Sequence, residues 1–368
     1  MREILLFPSR IKSMPPSVDP AEIAHAAGLL REGKLVAFPT ETVYGLGANA
    51  LDAEAVARIY AVKRRPAASP LIVHIAAIEM AKKLVKSWPE TADRLVEKFW
   101  PGPLTLVLPA ARVVTGFGPT PAARSSAALF PTIPPIVTAG LPTIALRMPA
   151  HPTAQALIHA AGIPLAAPSA NRFTELSPTT AEHVRKSLGN EIDYILDGGP
   201  CKVGIESTVL SLAGPRPILL RPGGISRIEL EAIIGPVALA QEIKAGPHPA
   251  PGMHPRHYSP RTPLLLVTDG NVPDRGEGIY LQYAHPAKRL GVDSKAKVGP
   301  NIESNIAIVQ MPTTAAEYAA ALYEQLHQAD AADADWIAVD LPSNTPEWEA
   351  IQDRLRRAVS KDRDVQPE

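Results

Sequence analysis

The sequence predicts an α/β protein built from two units, and three observations carry that expectation. Over residues 1–245, apolar strand-like runs alternate with helical stretches. A proline-studded segment, GPHPAPGMHPRHYSPRTP (Gly246–Pro263), then interrupts the alternation and can form neither a helix nor a central strand. Beyond it, PLLLVTDG, GIYLQY, NIAIVQM and WIAVDLP are short continuous apolar runs, as expected of parallel strands buried on both faces. At 368 residues the chain exceeds one ordinary core, which also favours two units. The expected division is residues 1–245, a stiff linker over 246–263, and a compact α/β unit of its own over 264–368.

The elements follow in order. A helix is expected over Pro20–Arg31 with Asp19 as its N-cap, then a strand at Leu35–Phe38 and a glycine loop. Asp52 caps the next helix, which must stop before Pro66. Further strands are expected at Leu71–Ile75, Leu104–Leu108, Thr143–Arg147, Leu165–Ala167, Tyr194–Leu196, Ser207–Leu212 and Ile218–Leu220. Ser177-Pro178 reads as a helix start, with the serine as cap and Gly189 as the stop. Residues 116–135, rich in proline, alanine and serine, read as a surface insertion. In the second unit the strong helices are Ala315–Ala329 and Glu347–Ser360.

Composition narrows the class. Lysine plus arginine balance aspartate plus glutamate, 37 against 37, which disfavours a protein that grips nucleic acid through many phosphate contacts. Aromatic residues are 5%, too sparse for a run of base-stacking platforms. A single cysteine, Cys201, excludes an intrachain disulfide framework and a cysteine-rich zinc site. No run approaches eighteen apolar residues and the amino terminus lacks a signal-peptide layout, so a cytoplasmic setting with no membrane contact is expected.

Two nucleotide-binding patterns are decoys. GLGANA (Gly45–Ala50) fits the dinucleotide fingerprint, yet Glu41–Tyr44 separate it from the preceding strand. The acidic ribose anchor it needs is replaced downstream by Lys63, Arg64 and Arg65. GLLREGK (Gly28–Lys34) fits a phosphate loop but is followed by Leu35 and runs from helix to strand, the reverse of the required order. The Lys63–Arg65 cluster has two readings: cations complementing a helix C-terminus, or a grip on a triphosphate. In AAPSANRFTELSP (Ala166–Pro178), Ser169, Asn171 and Ser177 are turn and capping residues or ligand-facing hydroxyl and amide groups. IESTVLSL and ILLRPGG add Ser207 and Arg221, groups that orient polar ligands. His248, His254 and His257 crowd the linker with no carboxylate or cysteine among them, so no metal site is expected.

Seven motifs in order, FPTETVYGLGANA, KRRPAASPLIVH, WPGPLTLVLP, ALRMPAHP, AAPSANRF with SPTT, GIESTVL and LLRPGG, resemble the Sua5/YrdC/YwlC family across residues 20–225. PGMHPRHYSP and the late helix IQDRLRRAV resemble the extension of its longer Sua5 type. The resemblance implies a YrdC-like twisted mixed sheet with an open cavity, followed by a smaller Rossmann-like α/β unit. It implies threonylcarbamoyl-AMP synthesis from L-threonine, bicarbonate and ATP, with Mg2+ carried on the ATP phosphates. The product would serve the downstream tRNA threonylcarbamoyl-transfer machinery that makes t6A, without stable tRNA binding by this chain. The alternative reading is an RNA-binding or ribosome-maturation module.

Carried onto this sequence, the resemblance places Thr42, His74, Arg147, Ala167 and Ser207 around threonine. It places Lys63, Arg65, Ser69, Thr143, Ala167, Ser169, Asn171, Ser177, Arg221 and Tyr258 around ATP, with Lys63 and Arg65 the catalytic cations. Three positions depart from the family pattern: Arg64 and Thr174 stand where glycine is usual, and Ser69 where asparagine is frequent. The linker is either a rigid spacer or a lid that brings Tyr258 over the site.

Overall fold

The computed structural model describes residues 18–111, 132–240, 257–268, 270–283 and 306–359. Most of the expected insertion at 116–135 and the linker from 246 to 256, including His248 and His254, lie outside the described residues.

The first unit opens with α1 (Pro20–Arg31), whose N-cap Asp19 accepts from the Ala21 amide. Next come β1 (Val36–Phe38), β2 (Gly45–Asn49), α2 (Ala53–Lys63), β3 (Ile72–His74), α3 (Ile78–Lys82), α4 (Glu90–Phe99) and β4 (Leu104–Pro109). The chain continues through α5 (Pro135–Thr138), β5 (Thr143–Arg147), α6 (Pro152–Ala161), β6 (Leu165–Ala166), α7 (Ala181–Leu188) and β7 (Tyr194–Ile195). It closes with β8 (Thr208–Ser211), β9 (Ile218–Arg221), α8 (Arg227–Ile234) and β10 (Ala238–Leu239). The strands form one ten-stranded mixed sheet in the order β10-β9-β8-β4-β5-β3-β6-β2-β1-β7.

The second unit holds β11 (Leu264–Val267), β12 (Gly278–Tyr283), β13 (Ile306–Met311), α9 (Ala315–Asp330), β14 (Trp336–Asp340) and α10 (Glu349–Ala358). Its four strands are all parallel, in the order β11-β14-β12-β13. That matches the continuous apolar runs of the sequence.

Two local readings are corrected. GLGANA is not a loop: Gly45–Asn49 is strand β2, antiparallel to β1. Its glycines are needed for packing, since a Cβ on Gly47 would lie 2.8 Å from the Phe38 ring. The helix expected to start at Ser177-Pro178 starts instead at Ala181, with Thr180 accepting from the His183 amide. Ser177 is thereby released from capping and donates to Glu206.

The second unit is also less self-contained than the apolar runs suggest. Its core includes Val43, Leu176 and Ile205 of the first unit, together with the linker residue Tyr258.

Candidate active site

The sheet builds the site by register. In the parallel pair β3–β5, His74 lies opposite Arg147, so both leave the sheet at the same end. Antiparallel β6 pairs with β3 and leads into Ala167, Pro168 and Ser169 on the same rim. A cavity opens there, and its wall includes Thr42, Arg65, His74, Arg147, Ala167, Ser169, Ser207, Arg221 and Tyr258. These are nine of the fourteen expected site residues. About 50 Å³ of it admits water, room for a few molecules at roughly 10–15 Å³ each. His257 and Tyr258 of the linker form part of its wall.

Each polar group on the wall is held by its own element. Thr40 Oγ1 donates to the Val43 carbonyl at 2.6 Å, and the Thr40 and Thr42 hydroxyls are 2.8 Å apart, fixing the loop that presents Thr42. Arg147 is buried, with Nη2 donating to Glu41 Oε1 at 2.6 Å and Nε to the Gly102 carbonyl at 3.3 Å. Glu41 in turn accepts from the Ala150 amide. Arg221, at the end of β9, donates to the Ser207 carbonyl and to Ser207 Oγ. Ser207 Oγ also meets Thr105 Oγ1 at 2.8 Å.

Burial sets the protonation states. Burial and then the nearby Arg147 push the His74 imidazole down to about 3, so it is neutral at pH 7. Its Nδ1 is buried with no hydrogen-bond partner. Burial likewise lowers Arg65, which donates from Nε to the Ser69 carbonyl at 3.4 Å and from Nη2 to the Pro70 carbonyl at 3.2 Å.

Five expected residues stand outside the wall. Lys63 Nζ donates to the carbonyls of Ser169 (2.6 Å) and Asn171, and reaches Asn171 Oδ1 only at 3.5 Å. It therefore braces the loop that presents Ser169. Asn171 belongs to that brace, and its amide nitrogen donates to the Arg172 and Glu175 carbonyls. Ser69 contributes its carbonyl to Arg65 and to the Tyr60 hydroxyl. Ser177 points to Glu206. Thr143 pairs with Pro109 at the far end of β5 from Arg147, some ~13 Å away by strand rise.

Sequence reasoning missed three acidic or linker residues at the cavity. Glu206, on the wall, sits within the GIESTVL motif. Glu41 is the carboxylate of FPTETVYG. His257, a linker residue beside Tyr258 with no metal site expected around it, lines the cavity with a buried, unpartnered Nδ1. The signal for both glutamates was present: a charged residue in an apolar strand context requires a buried partner.

Two family models cover the chain. Sua5_yciO_yrdC, described as "Telomere recombination", matches residues 28–223. "Threonylcarbamoyl-AMP synthase, C-terminal domain" matches residues 225–360. The Bacillus subtilis threonylcarbamoyl-AMP synthase is 43% identical over 346 residues, 93% of this chain and 94% of that protein. The Pyrococcus abyssi threonylcarbamoyl-AMP synthase is 40% identical over 342 residues, 92% of this chain and 94% of that protein. A crystal structure of P. abyssi Sua5 complexed with L-threonine superposes with a TM-score of 0.76 at 36% identity, covering 93% of this chain and 95% of that one. Matched along both units, the chain is an enzyme that belongs to the two-domain, Sua5-type threonylcarbamoyl-AMP synthase family.

Proposed function

We propose that the chain condenses L-threonine, bicarbonate and ATP into threonylcarbamoyl-adenylate and pyrophosphate, in the cytoplasm, as the activated donor for t6A formation on tRNA. The observation that carries this reading is the convergence of Arg65, Arg147 and Arg221 with a neutral His74 and the hydroxyls of Thr42 and Ser207 on one cavity. Such a wall suits a zwitterionic amino acid beside a polyanion.

In this reading the Arg147 guanidinium, anchored through Nε and Nη2, takes the threonine carboxylate. Thr42, the unpartnered His74 Nδ1, Ala167 and Ser207 surround its amine and side chain. The neutral amine attacks the bicarbonate carbon, forming the N–C bond and releasing the elements of water. A carbamate oxygen then attacks the α-phosphorus, and pyrophosphate leaves. Arg65, Arg221 and Ser169 hold the nucleotide from the wall, Lys63 and Asn171 fix the loop that presents Ser169, and Ser69, Thr143 and Ser177 contribute from outside the wall. Positioning and fixed positive charge supply the catalysis, with no covalent protein nucleophile.

Mg2+ would be carried on the triphosphate, supplying charge neutralisation there. The donor set agrees: the described residues contain no group of three histidine, cysteine or carboxylate side chains that could hold a metal ion, whereas Mg2+ on a nucleotide needs few protein ligands. Membrane attachment is not invoked, and no described helix is long and apolar enough to cross a membrane.

The linker acts as a lid. In this reading His257 and Tyr258, which form part of the cavity wall, move aside to admit ATP. Re-closure shields the labile adenylate from water. The test of the function is pyrophosphate release with omission of each substrate in turn. Release should require threonine and bicarbonate together; an equal rate with ATP alone contradicts the assignment.

A further inference from the structure

A buried ion pair joins the two units at the cavity wall. Glu206 Oε2 accepts from Arg354 Nε at 2.7 Å, and Oε1 accepts from Ser177 Oγ at 2.5 Å. The Tyr323 hydroxyl lies 3.1 and 3.2 Å from the two carboxylate oxygens. Arg354 stands on α10 and Tyr323 on α9, both in the second unit. Arg354 Nη2 also donates to the Pro222 carbonyl at 2.9 Å, and Nη1 to Asp353 Oδ2 at 2.7 Å.

The same guanidinium supports the lid. Its carbon lies 5.2 Å from the centre of the Tyr258 ring, within cation–π range. Tyr258 holds φ at 64°, a left-handed conformation that costs a non-glycine residue about 1–2 kcal/mol and persists only where its surroundings impose it. Those surroundings come from both units: the His257 amide donates to the Arg357 carbonyl and the Ser259 amide to the Thr174 carbonyl.

A separate feature points the same way. Gly204, two residues before Glu206, has φ 77°, and a Cβ there would lie 2.4 Å from the Ala319 carbonyl oxygen of α9. Only glycine admits the second unit this close to the segment that carries Glu206 and Ser207 into β8.

We propose that Arg354 is a positioning residue of the active site, through which the second unit holds Glu206 in the cavity wall and seats Tyr258 over it. Stability alone is a weak account of this pair, because a buried ion pair can be exchanged for apolar residues at little cost. Its placement, on a wall residue and under the lid ring, is what a positioning role requires. The second unit is then part of the catalytic structure, a role that deepens the synthase reading above and rests on it.

The test uses the full chain and the variants Arg354→Met, Arg354→Lys, Tyr323→Phe and the charge-balanced Glu206→Gln/Arg354→Met. Threonine affinity is read by calorimetry, kcat and KM by pyrophosphate release, and lid order by hydrogen exchange at residues 257–259. Arg354→Met should lower kcat roughly tenfold or more, leave threonine affinity within about threefold, and speed exchange of the lid. Its activity should rise as pH falls, but only to the level of the double variant, because Glu206, left facing Arg221 and the Ser177 hydroxyl without Arg354, takes a proton more readily. The double variant should lose that pH dependence yet remain slow, because nothing cationic lies under Tyr258. Arg354→Lys should restore the pH profile but only part of kcat, since the planar fork is gone. If Arg354→Met does not fold, the double variant and Tyr323→Phe decide, the latter with slower turnover and unchanged threonine binding. Unchanged kcat and lid exchange in the folded variants overturn the proposal, as does a parallel loss of threonine affinity and kcat with no pH signature. A wild-type chain that releases no pyrophosphate overturns the synthase reading instead, and lid exchange in Arg354→Met still decides the clamp.

Discussion

Two basic clusters end helices at opposite ends of this chain, and their fates differ. Lys63, Arg64 and Arg65 finish α2; Arg354, Arg356 and Arg357 finish α10. In each, part of the cluster is buried and one arginine, Arg64 or Arg356, is exposed. The partners separate them. Arg354 pairs with Glu206 and Asp353, and Arg357 with Asp353. The Lys63 and Arg65 side chains bond to oxygens of neutral groups, the carbonyls of Ser169, Asn171, Ser69 and Pro70 and the Asn171 side chain. An uncharged oxygen satisfies a donor without cancelling its charge, so Arg65 keeps a positive field on the cavity wall, while burial and then the Arg65 charge push the neighbouring Lys63 ammonium well below the ordinary lysine range. The same sequence signature is thus spent on ion pairs at one end, while at the other Arg65 faces the cavity without one.

The largest effects should follow from the uncancelled cluster. Arg65→Ala and Lys63→Ala should each reduce ATP use roughly ten- to a hundredfold, the value of one charge-assisted contact at about 1.5–3 kcal/mol. Steady-state kinetics with ATP varied reads this directly. If Arg65→Ala is silent while Arg64→Gly is damaging, the register of the cluster is wrong.

A smaller effect is expected at the lid. Tyr258→Ala should lower net product more than it lowers ATP binding, because an unshielded adenylate hydrolyses. Limited proteolysis supplies the control: ATP plus threonine should protect residues 250–260, and equal cleavage with and without them leaves the linker a spacer.

The exposed member of the α2 cluster gives a modest gain. Arg64 and Thr174 sit at φ 53° and 74°, the left-handed region that favours glycine. Arg64→Gly removes a left-handed strain of about 1–2 kcal/mol and adds back about 0.5–1 kcal/mol of chain entropy. The melting temperature should rise by about 2 °C, with ATP kinetics unchanged; a fall contradicts the αL account.

The interface between the units supplies the smallest effect. His183 of α7 and His327 of α9 stack with ring centres 3.7 Å apart. Burial holds both down to about 4, aided at His183 by Lys186 and at His327 by His183. Because the folded values lie below the unfolded value near 6.5, the unfolded chain binds more protons between pH 6.5 and 4. The stabilising effect of keeping them neutral is whole above pH 6.5 and is lost as pH falls through about 4. Melting curves should therefore steepen downward across that window, and His327→Gln should flatten the slope. An unchanged slope would remove the pair from the acid response.

Much of this was legible in the residues. The caps Asp19 and Asp52, the punctuating prolines and the apolar runs located most elements of both units, because local rules decide them. That the nine wall residues share one cavity was legible only through motifs in order, since strand pairings far apart in sequence bring Thr42 and Arg221 to it. What stayed hidden was non-local pairing. Nothing near Glu206 in sequence announces Arg354, 148 residues away. Ser177 read as a helix cap by local rules, and a tertiary carboxylate took its hydroxyl instead. GLGANA fitted a loop motif, while the ring of Phe38 across the strand pair was the reason for its glycine.

The most direct measurement follows the carbon of bicarbonate. Incubation of the full chain with ATP, L-threonine and labelled bicarbonate, then mass-spectrometric identification of products, should show the label in a threonine-linked adenylate formed in step with pyrophosphate. An adenylate that carries no label, or ATP consumption with the label left in bicarbonate, contradicts the account.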